Sequence, residues 1–227
     1  MFKDLDDILD DLFQSSTIKP TFETVHVILA LFIFGENLKG IGRYSLGKEL
    51  LLGEGSAKTL LRRLRKQINF ISIIDNGKRK GHILTELGLK YLREIKTYIP
   101  IIKRGESSIL KDIIIKPKKD STYFCLVKKV NTKMTNGIAQ RDAAIKINGS
   151  GATCLVFNGN NLVFPSKPFA NTESDLTELD SNIQEYFYSQ LMNENLRLEK
   201  EDIIVIGSGE SPQTARLATL NAVLTLL

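Results

Sequence analysis

The chain has 227 residues, a formal net charge of +5, two cysteines, two histidines and no tryptophan. That length suits two small domains better than one. No apolar run is long enough to span a bilayer and the acidic start is unlike a secretory signal, so a cytoplasmic protein with no membrane partner is expected.

Residues 1–20 read as an acidic amphipathic helix, Phe2 to Gln14, followed by a linker, Ser15 to Pro20. Leu5, Ile8, Leu9 and Leu12 share a face, and five aspartates cover the remainder. A helix this short is unstable alone in water. Its stripe should dock within its own protein or dimer; a mask over a basic surface is the alternative.

Residues 21–105 read as a basic head. Thr21 to Phe34 is a helix with Val25, Ile28, Leu29, Phe32 and Ile33 as core, and His26 in it has no evident partner. A glycine-containing loop, Gly35 to Gly42, leads to a short helix from Ser45. Gly53-Glu54-Gly55 reads as a turn, and Ser56 as the N-cap of a helix running to Phe70. Ala57, Leu60, Leu61, Leu64 and Ile68 form its apolar stripe. The stripe must face a core, which turns the cations outward. Placed in a major groove, such a helix would set Lys58, Thr59, Arg62 and Arg63 near bases, and Arg65 and Lys66 nearer phosphates. Two strands follow, Ile71 to Ile74 and His82 to Leu84, around Asp75-Asn76-Gly77, a turn signal. Lys78, Arg79 and Lys80 stand at the hairpin tip, where a basic wing can reach phosphate or minor groove. Thr85 opens a last helix with Leu87, Tyr91, Leu92, Ile95 and Ile99 as its stripe, and Pro100 stops it.

Helix, turn, helix, basic hairpin, helix is an order that resembles the winged helix-turn-helix heads of bacterial and archaeal transcription regulators. The phrase Leu84-Thr85-Glu86-Leu87-Gly88, entering a helix after the wing, adds to the resemblance. Further on, Asn136-Gly137-Ile138-Ala139-Gln140-Arg141-Asp142-Ala143-Ala144-Ile145-Lys146 and Gly151-Ala152-Thr153-Cys154-Leu155-Val156-Phe157 are similar to an archaeal family. That family joins a winged helix to a C-terminal domain of unknown function. The resemblance implies an archaeal source and a two-domain architecture, and carries over no catalytic residue.

Residues 106–227 read as a second domain. Strands are expected at Ile109 to Ile115, Thr122 to Val130, Ala152 to Phe157, Leu162 to Phe164 and Asp202 to Ile206, the last uninterrupted, central and covered on both faces. Helices are expected at Gly137 to Ile147, Asp175 to Leu196 and Ser211 to Leu227. The fold class is therefore α+β: an N-terminal winged helix-turn-helix, then an α/β sandwich with a mixed sheet. The last helix is apolar nearly all round, so either its own domain or a second subunit must cover it.

Little in this half points to chemistry. Gly207, Ser208, Gly209, Glu210 and Ser211 follow a strand and open a helix, the setting of a phosphate cradle. The stretch lacks a phosphate-loop motif, and Ser211 with Pro212 also makes an ordinary helix start. Arg141 and Asp142 sit between Ile138 and Ile145 on a helix and need partners there, a buried ion pair first and a small-molecule effector second, whereas a core face through Ala139, Ala143 and Ile147 would leave Arg141 solvated. No catalytic triad, metal cluster or cofactor motif emerges, and Cys125 and Cys154 read as buried free thiols.

Charge is unevenly spread. Residues 1–20 carry −3, residues 21–105 carry +9 and residues 106–227 carry −1. A basic head on a near-neutral body is the footprint of nucleic-acid binding. The expectation is a DNA-binding transcription regulator that is not an enzyme. It would read double-stranded DNA as a homodimer, with the second domain serving dimerisation or an effector. A small-molecule enzyme with an appended winged helix, or a protein-interaction module of the transcription machinery, are the alternatives.

Overall fold

The computed structural model describes residues 9, 12–13, 20–75, 80–114, 121–128, 134–165 and 179–227. The chain divides into two compact units, Met1–Lys96 and Thr97–Leu227.

The first unit is built on α1, Thr24–Glu36, whose residues Val25 to Phe34 are all buried. A helix apolar on every side belongs in the middle of its unit. Of the N-terminal stripe, Leu9 and Leu12 are buried and the neighbouring Phe13 ring meets Phe22 at 5.6 Å, while Leu5 and Ile8 lie outside the described residues. After α1, Ile41 forms a single antiparallel bridge to His82, with hydrogen bonds of 3.0 and 2.9 Å. Two helices follow, α2 (Arg43–Glu49) and α3 (Glu54–Lys66). The hairpin comes next, β1 (Ile71–Asp75) against β2 (Lys80–Leu84) in antiparallel register, then α4 (Glu86–Tyr98).

From Thr24 onward the expected helices and hairpin of this unit are present, with shifted ends: α1 starts at Thr24 rather than Thr21, α2 at Arg43 rather than Ser45, and α3 stops at Lys66 rather than Phe70. Most of the helix expected at Phe2 to Gln14 lies outside the described residues. α3 starts at Glu54 on Gly53 as N-cap, not at Ser56. Gly53 and Gly55 have nothing near them to oppose helix entry, and Glu54 stands in the first turn, where its charge suits the macrodipole. The Thr85-Glu86-Leu87-Gly88 phrase also acquires a physical cause. Thr85 Oγ1 accepts from the Gly88 amide at 3.2 Å and donates to the Asn69 carbonyl at 2.6 Å, while Gly88 lies on the Phe70 carbonyl, where a Cβ would come within 2.2 Å.

The second unit holds a five-stranded sheet in the order β3-β4-β7-β5-β6. Its strands are β3 (Ile101–Gly105), β4 (Ser121–Val127), β5 (Gly151–Phe157), β6 (Leu162–Val163) and β7 (Ile203–Gly209). Every pairing is antiparallel, so the mixed sheet expected from the sequence is corrected. Each βα connection returns its next strand against the direction of the neighbour it joins, which composition does not encode. β7 is buried along its whole length, as a central strand should be.

Side chains on the two faces alternate. Phe124, Leu126, Leu155, Ile204 and Ile206 face one way and pack with α5 (Ser107–Leu110) and α7 (Ser181–Met192). α6 (Ile138–Lys146) and α8 (Pro212–Leu224) pack against the sheet as well, and against each other. The strand expected at Ile109 to Ile115 is instead α5 and a turn, and the sheet's first strand is Ile101–Gly105, in the stretch assigned to the head. The boundary therefore falls at 96/97 rather than 105/106. Among the described residues no helix is long and apolar enough to cross a membrane.

Candidate nucleic-acid interface

α3 divides cleanly into two arcs. Ala57, Leu60, Leu61 and Leu64 are buried, and Lys58, Arg62 and Lys66 are exposed. Thr59 and Arg65 are half-buried at the margins of the exposed arc. Of the six residues placed near DNA on this helix, five thus share one accessible surface.

Arg63 is the exception and a correction. Its side chain is buried, and Nη1 donates to the Leu12 carbonyl of the N-terminal segment. On the helical projection Arg63 stands where the exposed arc meets the buried one, and the N-terminal segment supplies the acceptor that its charge requires. It is not available to a base. Thr21 Oγ1, just before α1, meets Ser56 Oγ in the first turn of α3 at 2.5 Å.

The hairpin is present, but its basic tip is only partly within view. Lys78 and Arg79 lie outside the described residues, and Lys80 is described through its backbone pairing with Asp75. His82, half-buried in β2, has its imidazole pKa lowered from 6.5 by burial, and Arg65 nearby lowers it further. It is neutral near pH 7.

Four residues missed by the sequence reading complete the surface. Arg43, Tyr44, Lys48 and Glu54 line a cleft of about 310 Å³ between α2 and α3, floored by Gly47, Leu52 and Ala57. Tyr44 is 86% exposed, unusual for so large a ring. Arg43 Nη2 donates to Glu54 Oε1 at 2.6 Å, linking the first residues of the two helices. The signal was available: a glycine N-cap followed by an acid is a helix start.

The residues considered for an effector do not converge. Gly207, Ser208 and Gly209 lie inside β7, paired with β4 and β5. A Cβ on Gly207 would sit 2.4 Å from Thr219 Oγ1, and one on Gly209 would sit 2.8 Å from Thr214 Cγ2. These glycines let α8 approach the sheet. Ser211 is the N-cap of α8, accepting from the Thr214 amide at 3.1 Å, with Pro212 in the first turn. Arg141 and Asp142 form an exposed pair with each other at 2.9 Å, which corrects the buried ion pair. α6 buries Gln140 and Ala144 instead, leaving Ile138 and Ile145 half in solvent. The last helix buries most of its apolar residues against the sheet and α6 of its own unit. Burial also holds both thiols in the protonated form, with Cys154 pushed up to about 12 and Cys125 higher.

Residues 119–226 match a family described as "Domain of unknown function (DUF4443)", and residues 23–90 match one described as "PH0730-like, N-terminal domain". Among solved structures the chain is similar to "Hypothetical protein PH0730 from Pyrococcus horikoshii OT3", with a TM-score of 0.64 and 24% identity over 90% of this chain and 93% of that one. At that identity the likeness shows the fold. It is to an archaeal protein and spans both units, in line with the two-domain, archaeal resemblance of residues 136–157. No curated protein matches the chain.

Proposed function

We propose that the first unit is a winged helix that binds duplex DNA and that the protein is a cytoplasmic transcription regulator. The observation that carries this reading is the exposed arc of α3. Lys58, Arg62 and Lys66 stand on it in successive turns, with Arg65 at its margin. The Ile41–His82 bridge supports the reading, because it ties the stretch between α1 and α2 to the hairpin at the place where a winged helix pairs its first strand. α3 then takes the groove, and α2 crosses the backbone with Tyr44 and Lys48 facing phosphate. A single head reads few base pairs, so we propose a homodimer on a two-fold site.

The test is selection of bound duplexes with the full-length chain, followed by titration of the best duplex at several salt concentrations. Arg62→Ala should weaken binding about tenfold, within the range of one good base contact. Arg63→Ala should not act as a lost contact, because Arg63 faces Leu12. An Arg62→Ala protein with wild-type affinity on the selected duplex would refute the placement of α3.

A further inference from the structure

Glu54 is the one acid on α3, and it stands in the first turn of an otherwise cationic helix. In a groove-bound helix the N-terminal residues approach base edges most closely. A carboxylate there repels phosphate, so a role in general DNA affinity is excluded by sign. Its side chain is 78% exposed, so no burial demands it. Arg43 fixes it: one guanidinium nitrogen holds Oε1 at 2.6 Å, and among the described residues Oε2 makes no hydrogen bond. The result is a positioned oxygen, acceptor-only when ionised, on the surface proposed to meet DNA.

Resting on that DNA-binding reading, we infer that Glu54 reads cytosine in the major groove and that Arg43 is its positioning residue. The base edges decide the class. Guanine presents two acceptors, and thymine an acceptor and a methyl group. Adenine places an acceptor beside its amine, which repels a carboxylate. Cytosine presents its N4 amine alone, and carboxylates accept from it. Lys58 strengthens the match. It follows Glu54 by one turn, is exposed, and stands on the same ridge. Acceptor and donor side by side complement a C·G pair, whose cytosine donates and whose guanine accepts through O6 and N7.

The experiment is selection from a random duplex library with full-length wild type, Glu54→Ala, Glu54→Gln and Arg43→Ala, each checked for unchanged far-ultraviolet circular dichroism. Wild type should select a C·G pair at one position of each half-site, and replacing that pair should weaken binding about tenfold. Glu54→Ala should lose that preference while keeping the others. Glu54→Gln should shift it toward adenine, which an amide recognises through N6 and N7. Arg43→Ala should blur the cytosine preference without replacing it. If the Glu54 variants select the wild-type consensus with the same discrimination, the acid is a helix-start residue only and the assignment is overturned. If wild type selects no duplex even at low salt, the DNA-binding reading fails, and the assignment fails with it.

Discussion

Gly88 and Gly55 both lie in helices, and the structure gives their replacement by alanine opposite signs. A Cβ at Gly88 would lie 2.2 Å from the Phe70 carbonyl oxygen and 3.0 Å from Leu84 Cδ2. Carbon–oxygen contacts settle at about 3.3 Å or more, so α4 would have to retreat by roughly 1 Å. That retreat strains the Thr85 amide bond to the Phe70 carbonyl, 2.9 Å, and the bond from Thr85 Oγ1 to Asn69, 2.6 Å. Overpacking of this kind costs about 1–3 kcal/mol, and a weakened hydrogen bond costs about 1 more. Alanine's better helix propensity returns up to about 1 kcal/mol. Gly88→Ala should therefore lose about 2 kcal/mol, or about 10 °C in midpoint for a unit of this size. A Cβ at Gly55 meets nothing within 4 Å, so Gly55→Ala should gain roughly 0.5 kcal/mol. Urea unfolding followed by circular dichroism gives both values, and amide exchange in α4 assigns them to the first unit. A Gly88→Ala protein at least as stable as wild type would refute the packing.

Two further expectations concern buried charge. Burial lowers the His26 pKa from 6.5, and the ring accepts from the Glu23 amide through Nδ1 at 3.0 Å. The folded form then binds fewer protons than the unfolded form just below pH 6.5, so stability is full above that pH and declines as pH falls through the folded value. His26→Gln retains a capping side chain at the third helical position, and urea midpoints between pH 7.5 and 5 should vary less in this variant than in wild type. Lys128 Nζ lies 3.1 Å from Asp202 Oδ2, and burial raises the Asp202 carboxyl above 3.8. Lys128→Met should destabilise the second unit by about 3 kcal/mol, and adding Asp202→Asn should recover part of that loss in the same unfolding assay.

The sequence was legible where one periodicity had a single solution. The stripe of α3 and the continuous apolar run of β7 each admit one burial pattern. Short apolar runs do not, because periodicity alone cannot separate a buried strand from a buried helix segment. Ile109 to Ile115 is such a run, and so is Ile101–Gly105, which directly follows Pro100 and was read as the tail of the head. On α6 the larger side chains misled. Ile138 and Ile145 promised a core stripe, yet the helix buries its small face, where Ala144 packs and Gln140 Nε2 donates to Thr225 Oγ1 at 2.7 Å. Gly149, whose Cβ would sit 2.4 Å from that of Ala218, shows how closely the chain approaches α8 there. Closeness to a neighbouring helix favoured small residues over large ones, a preference invisible until the neighbour is known.

Arg63 carries the same lesson into the candidate interface, and it changes a number. α3 has five cations, and charge alone would credit all five to DNA. The N-terminal segment removes one. Leu12 is buried on the first unit and its carbonyl takes the Arg63 guanidinium. Lys58, Arg62 and Lys66 remain exposed, with Arg65 half-buried beside them. Each phosphate neutralised contributes a slope of about −0.9 in log affinity against log salt. α3 alone then supplies a slope of about −3 to −4 per head, and about twice that in a two-fold dimer. Arg62→Ala should lower the slope by about 1 per head if its guanidinium meets phosphate, and by less if it meets a base. Arg63→Ala should leave the slope unchanged, because its charge is already spent inside the fold. An equal loss of slope in both variants would mean that Arg63 leaves Leu12 when DNA binds, and the N-terminal segment would then have to move with it.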